Sequence, residues 1–412
     1  MGNGASVVEK TARLSIAVIG AGYWGPNLAR NFRSGPAWHL AAICDLDIDR
    51  AQRVADSVGG VPVTDDLHEV LSDPLIDAVA IATPARTHHA IVMAALEAGK
   101  HVIVEKPLAD SGVAGREMVE RAGEMGLVLM ADHTYCYTPA VLKIRELIAD
   151  GFLGDILFVD SVRINLGLIQ PDVDVFWDLA PHDLSIMDFV LPGGLQATSV
   201  AAHGADPLRT GKACIGYLAM PLAGGAVAHV HANWLSPTKI RQMVIGGTKR
   251  TLVWDDLNPQ QRLSVYDRGV DIEQVSKSSA ADARAAHISY RLGDTWSPAL
   301  PEGEALAGVA AEFAAAIREG RSARTGGEAG LRVLAVLEAA NRSLERGGAP
   351  EALEPLDARG PLGPTDAPVP AGTLAPAGTV APAGTVAPTE TVAPTEVLQP
   401  LAVELVSGGV VR

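Results

Sequence analysis

From Leu14 to about Ala131 the chain alternates short, almost continuously apolar runs with stretches of helical spacing. The runs are Leu14–Ile19, Leu40–Cys44, Val61–Val63, Ala78–Ala82, His101–Val104 and Leu127–Met130. Strands buried on both faces of a parallel sheet lack the in/out alternation of a half-exposed strand, and these runs lack it too. Between them lie segments such as His88–Ala98, where Ile91, Ala94, Ala95 and Ala98 share one helical face. Strand and helix in alternation predict a doubly wound α/β sheet with right-handed crossovers. After a helix expected over Pro139–Ala149 the rhythm changes. Strand patterns then follow one another at Ile156–Ile164, Ser199–His203, Ala213–Met220, Ala226–Leu235, Ile240–Ile245, Thr251–Trp254 and Leu263–Tyr266. Gly224-Gly225 and Gly246-Gly247 read as turns between them. One helix around Leu179–Phe189 interrupts the series. Two more close it, with Leu306, Val309, Ala310, Phe313 and Ile317 on one face and Val333, Val336, Leu337, Ala340 and Leu344 on the other's. Successive strands without helices between them imply a large, mainly antiparallel sheet.

Composition changes this picture at one end. The 66 residues after Arg346 hold 11 of the 27 prolines, no lysine and no aromatic residue. Residues 371–400 parse as five hexads, AGTLAP, AGTVAP, AGTVAP, TETVAP and TEVLQP. A solenoid of such hexads would need large apolar residues in its coil, and proline at every sixth position removes ladder donors. The segment is expected to be a disordered or polyproline-like tail. The expected organisation is therefore a dinucleotide-binding domain over 12–135, an α+β domain for substrate and oligomer contacts over 136–346, and a tail over 347–412.

The formal charge of −15 argues against a nucleic-acid partner, which needs a basic surface, but not against phosphate held by backbone N–H groups. Cys44, Cys136 and Cys214 are far apart and odd in number, which makes neither a disulfide framework nor a zinc pattern and suits a reducing cytoplasm. The opening residues lack the order of a signal peptide, and no run reaches ~18 apolar residues, so no membrane span is expected.

Three clusters carry chemistry. Gly20-Ala21-Gly22-Tyr23-Trp24-Gly25 follows the first strand and opens a helix. Gly20 allows the tight turn, Gly22 close approach of a pyrophosphate, and Gly25 helix-on-strand packing; this is the Rossmann fingerprint in its proper context. Asp45 ends the second strand, where a carboxylate accepts ribose hydroxyls and disfavours a 2′-phosphate, so NAD is expected over NADP. Arg50 and Arg53 leave NADP open, and Asp45 could instead cap a turn. Glu105-Lys106-Pro107 stands at a strand's carboxyl end, where such sheets bind ligands. Lys106 could exchange or stabilise a proton, or be a surface lysine paired with Glu105. In Trp177-Asp-Leu-Ala-Pro-His-Asp183, Asp178 and His182 are four apart and share a helical face. A carboxylate beside an imidazole raises its basicity and orients it, although such a pair can be structural. The spacing is half a metal site with no third ligand, so no metal is expected.

Together, GAGYWGPNLARNF (Gly20–Phe32), ATPARTHHAIVMAALEAGKHVIVEKPLA (Ala82–Ala109) and WDLAPHDLSI (Trp177–Ile186) resemble the Gfo/Idh/MocA family, the glucose–fructose oxidoreductase and inositol dehydrogenase relatives. The resemblance covers roughly residues 12–346. It implies catalytic roles for Lys106, Asp178 and His182, and contacts from Tyr23, Trp24, Thr83, Pro84, His88, Glu105 and Lys106 to the cofactor. It also implies a homodimer or homotetramer formed through the open face of the second sheet. The stretch Arg163–Gln170, with GYWGPN, looks most like members acting on nucleotide-linked sugars at C3, in which Tyr135, Tyr137, Arg163, Asn165 and Gln170 would contact sugar or diphosphate. For the two tyrosines, packing is the other reading. Asp132-His133 departs from the family's commoner Gly-His. The alternatives are a ketoreductase of deoxysugar synthesis using NAD(P)H, a cyclitol dehydrogenase, or a non-catalytic sensor of NAD(P) or sugar.

Overall fold

A computed structural model describes residues 13–170, 172–273 and 287–353. The hexads, and the tail from 354 onward, lie outside the described residues.

The first half contains β1 (Leu14–Ile19), α1 (Gly25–Ser34), β2 (Trp38–Cys44), α2 (Ile48–Ser57), β3 (Val63–Thr64) and α3 (Leu67–Ser72). It continues with β4 (Ala78–Ile81), α4 (His88–Glu97), β5 (His101–Glu105), α5 (Gly112–Met125) and β6 (Leu129–Asp132). All six strands are parallel, in the order β3-β2-β1-β4-β5-β6. The order reverses beside β1, which opens a crevice at the strands' carboxyl ends. Every residue of β4 and β6 is buried, which is why these strands read as unbroken apolar runs.

The second half comprises α6 (Pro139–Ala149), β7 (Ile156–Leu166), α7 (Val175–Val190), β8 (Ser199–Ala205), β9 (Ile215–Pro221), β10 (Val227–Asn233) and β11 (Leu235–Gly247). It ends with β12 (Thr251–Asp255), β13 (Leu263–Glu273), β14 (His287–Trp296), α8 (Ala305–Glu319), α9 (Gly327–Glu345) and β15 (Glu351–Ala352). Its strands form one nine-stranded sheet, β14-β13-β12-β11-β7-β10-β9-β8-β15, antiparallel except where β10 runs alongside β7. No helix among the described residues is long and apolar enough to cross a membrane.

Three details differ from expectation. Helix α7 begins at Val175 rather than Leu179, because the Asp174 side chain accepts from the N–H groups of Phe176 and Trp177 at 2.9 and 3.0 Å. Gly246 and Gly247 end strand β11 instead of forming a turn; a Cβ there would collide with the Phe158 ring and the Leu153 carbonyl, so these glycines serve close packing. Residues 347–353, expected in the tail, include β15, which pairs with β8 at Val200 and Ser199.

Candidate active site

The glycine turn is shaped for a dinucleotide. Gly20 has φ +99°, donates its N–H to Cys44 O at 2.8 Å, and a Cβ on it would lie 2.6 Å from Ala82 O. A Cβ on Gly25 would run into the Gly20 carbonyl, so α1 can lie against β1 only without a side chain there. Gly22 faces open space, with no protein atom within 4 Å of where its Cβ would be. Helix α1 has no side-chain cap and no acidic residue in its first turn; Pro26 lacks an N–H and Asn27 N–H donates to Trp24 O at 2.9 Å, so an anion would meet the N–H groups of the glycine turn itself at the positive end of the helix. These features fit a pyrophosphate. Tyr23, 91% exposed, borders the open side of the turn, and the Trp24 indole donates to Asp132 at 3.4 Å.

Asp45 does more than the sequence indicates. One oxygen accepts Ala21 N–H at 2.6 Å and Arg50 Nε at 3.3 Å; the other accepts Asp47 N–H at 2.8 Å and Arg50 Nη2 at 2.6 Å. Burial opposes its ionisation, but Arg50 and the two N–H groups outweigh it and hold the carboxyl below its usual range. Asp45 thus pins the glycine turn. A ribose reaching it would share it with the half-exposed Arg50.

Beyond β4, Thr83 and Pro84 enter a short turn in which the hydroxyls of Thr83 and Thr87 are 2.8 Å apart. His88 is expected at the cofactor, but it is 1% exposed, and its ring nitrogens face Thr83 O at 2.9 Å and Pro107 O at 3.0 Å. It braces the loops after β4 and β5 instead of touching a ligand. Burial pushes its pKa down, with the carbonyls of Thr83 and Pro107 opposing.

The residues expected to be catalytic lie where these loops meet α7 and the second sheet. Lys106 Nζ donates to Asp178 O at 2.8 Å and to Asp178 Oδ1 at 3.3 Å. Asp178 Oδ2 accepts from the indole of Trp234 at 3.0 Å. An ammonium has three protons, so Lys106 keeps one for a ligand. One turn further along α7, His182 Nδ1 is buried with no partner among the described residues. Two expectations are corrected here. Asp178 orients Lys106 rather than His182, and the imidazole is less basic than usual rather than more. Burial, then Lys106, Arg163, His133 and Arg241, hold it well below the ordinary histidine range. A neutral, proton-accepting imidazole results.

Tyr135 joins the two halves of the cluster. Its ring meets His182 edge-on at 5.1 Å and Trp254 at 6.0 Å, beneath the guanidiniums of Arg163 at 4.6 Å and Arg241 at 5.9 Å. Arg163 itself is 2% exposed and gripped by Asp183 at 2.7 and 3.0 Å, so it supports the site from behind rather than meeting substrate. Tyr137 is likewise structural; it is 5% exposed and its hydroxyl lies 3.0 Å from Thr325 Oγ1. Asn165 is half-buried and, with Trp234, flanks Gly167, one residue from the Asp178 contact. Gln170 is half-buried in the segment leading to Asp174. Sequence reasoning missed Trp234, the role of Asp183, Arg241 and the pairing of Asp132 with Glu105. Asp183 stands next to His182 and could have been found there; Trp234 has no local signal.

Residues 14–133 match the family description "Oxidoreductase family, NAD-binding Rossmann fold", and residues 141–253 match "GFO/IDH/MocA C-terminal domain". Levoglucosan dehydrogenase from Pseudarthrobacter phenanthrenivorans is 26% identical over 337 residues, 71% of this chain and 83% of that protein. The scyllo-inositol 2-dehydrogenase (NAD(+)) of Bacillus subtilis is 32% identical over 194 residues, 46% of this chain and 56% of that one. The chain thus spans little more than half of the latter. Among solved structures, UDP-N-acetylglucosamine 3-dehydrogenase from Acidithiobacillus ferrooxidans superposes with a TM-score of 0.68 at 26% identity, covering 82% of this chain and 99% of that one. With the glycine turn, the lysine after β5 and the D-x-x-x-H turn of α7 in place, and consecutive matches to both halves, the chain belongs to the Gfo/Idh/MocA family of NAD-binding oxidoreductases.

Proposed function

We propose that the protein moves a hydride between NAD and a ring carbon, C3, of a nucleotide-linked sugar. The observation that carries the reading is the presence in one cluster of Lys106, one ammonium proton still free, and His182, whose buried Nδ1 has no hydrogen-bond partner among the described residues. Oxidising an alcohol requires loss of both hydride and proton; NAD, when bound, takes the hydride. His182 accepts the hydroxyl proton, and the free N–H of Lys106 stabilises the developing oxyanion. Asp178 fixes Lys106 and balances its charge, and Trp234 fixes Asp178. In the reducing direction the same groups return the proton. The nucleotide-linked substrate is supported by the likeness along nearly the whole UDP-N-acetylglucosamine 3-dehydrogenase chain and by Arg241, a partly exposed cation at the rim of the cluster. Thr83, Pro84, Tyr23 and Trp24 border the cofactor in this reading, and Asn165 and Gln170 the substrate. Tyr217, Val270, Tyr290 and Leu292 are exposed on the second sheet and would be covered in a homodimer or homotetramer. Three free, buried cysteines suit the cytoplasm.

Dinucleotide fluorescence during incubation with UDP-N-acetylhexosamines, UDP-hexuronates, keto-sugars and free cyclitols tests the proposal. Turnover of a nucleotide sugar is expected, falling at least ~100-fold in Lys106→Ala while NAD still binds. Turnover of cyclitols alone would replace the substrate assignment. Binding without turnover of anything would replace the enzyme by a sensor.

A further inference from the structure

Glu105 and Asp132 end neighbouring strands and are direct register partners across β5 and β6, so their side chains emerge side by side at the carboxyl edge of the sheet. Asp132 is 1% exposed, and Glu105 is half-buried with its Oε1 fully enclosed. Asp132 is well supplied with donors: Thr134 Oγ1 at 2.8 Å and Trp24 Nε1 at 3.4 Å. Glu105 is not. Its Oε2 accepts only the Lys106 N–H at 3.2 Å, and its Oε1 is buried with no hydrogen-bond partner among the described residues. Two buried carboxylates side by side, one with an orphaned oxygen, are unstable as a dianion; one proton between them supplies the missing bond and removes the repulsion.

We propose that Asp132 is a positioning residue of the dinucleotide site: it holds a single proton in common with Glu105, and through Trp24 it ties the end of β5 to the glycine turn. Glu105 is therefore a neutral acid beside Lys106, and the pair carries one negative charge instead of two. Burial first, then the charge and hydrogen bond of Asp132, push the Glu105 carboxyl well above its usual range, with Lys106 opposing. Burial also raises Asp132, against its bonds from Glu105, Thr134 and Trp24. Lys106, Thr134 and Trp24 are the polar groups facing the pair from β5, the loop after β6 and the glycine turn. At high pH the shared proton leaves, a second buried charge appears, and the link between turn and strand loosens. The expected pH dependence of dinucleotide binding rests on the reading of Glu105 as a cofactor neighbour; the shared proton does not.

Infrared titration of the whole protein without ligand tests the proton, through the carbonyl stretch of a buried carboxylic acid. The band is expected in the wild type, absent in Glu105→Gln, and lost at lower pH in Asp132→Asn, where the neighbouring charge is gone. No band in the wild type, or the same titration in Asp132→Asn, overturns the pair. Calorimetric NAD titration then tests the positioning role. Wild-type affinity is expected to fall roughly three- to tenfold across the pH range in which the band disappears, the scale of one lost hydrogen bond, and that fall should move to lower pH in Asp132→Asn. An intact band with pH-independent affinity in both proteins leaves the pair standing and removes its role at the cofactor. Trp24→Phe, which keeps both carboxyls, is expected to retain the band and weaken NAD to a similar degree. Unchanged affinity there would overturn the tie through Trp24.

Discussion

Arg163 and Asp183 are each 2% exposed or less and are joined by two hydrogen bonds of 2.7 and 3.0 Å, with Ser161 Oγ giving Asp183 a third at 2.9 Å. Asp183→Leu leaves a guanidinium in a dry site with no counter-charge, which costs about 3–5 kcal/mol. At roughly 2–4 °C per kcal/mol for a protein of this size, the loss in unfolding midpoint is ~6–20 °C. Arg163→Met combined with Asp183→Leu removes both charges and keeps apolar cover over the Tyr135 ring, so most of the loss should be regained. Ser161 loses its acceptor in both proteins, and that term cancels in the comparison. Thermal unfolding followed by circular dichroism distinguishes the two. A double variant as unstable as the single one would refute the reasoning, because the loss would then come from missing volume rather than from stranded charge. Turnover adds a second readout. Arg163 braces Tyr135, and Tyr135 packs on His182, so the stable double variant should still turn over more slowly.

The glycine turn gives a contrast within six residues. Gly22→Val should fold like the wild type, since no protein atom lies near, yet lose NAD binding by filling the space left for phosphate. Gly25→Val should lose both binding and stability through collision with the Gly20 carbonyl, and a calorimetric scan with an NAD titration separates the two. His133 is 2% exposed, and burial brings its pKa down to about 4. A histidine lowered in the fold stabilises fully above its unfolded value near 6.5, and that stability is lost as pH falls toward 4, about 3 kcal/mol in all. In His133→Phe the acid decline in unfolding midpoint between those pH values should flatten; an unchanged slope would assign it to other groups.

Where burial was uniform, the sequence was a good guide. The strands of the first sheet are apolar on both faces, so their positions survive as a plain pattern, and the glycine turn is local by nature. Strand β14 was missed because an edge strand need not bury a face; Tyr290 and Leu292 are 75% and 85% exposed. Helix α7 starts four residues ahead of its expected position because Asp174 caps it there. In the site, spacing put Asp178 and His182 on one face but could not say which neighbour Asp178 would choose. That choice depends on Lys106, 72 positions away, and on Trp234. Arg163 and Tyr137 read as ligand contacts only through the family likeness, with packing the other reading for the tyrosine; the packed structure engages both, with Asp183 and Thr325.

Helix α9 belongs to the second half by position in the chain, yet its Leu331 and Leu334 complete the core of the first sheet alongside Leu108 and Met118. Just ahead of it, Thr325 donates its hydroxyl to Ala131 O at 2.8 Å and accepts the Ala131 N–H at its own carbonyl at 2.9 Å. On a ribosome, the nucleotide-binding sheet is therefore made first and sealed last. Its β6 edge and the groove beside α5 stay uncovered until some two hundred further residues have been made. A nascent chain in that interval presents an unpaired strand edge to its neighbours, and a fragment cut at residue 135 would keep that exposure permanently.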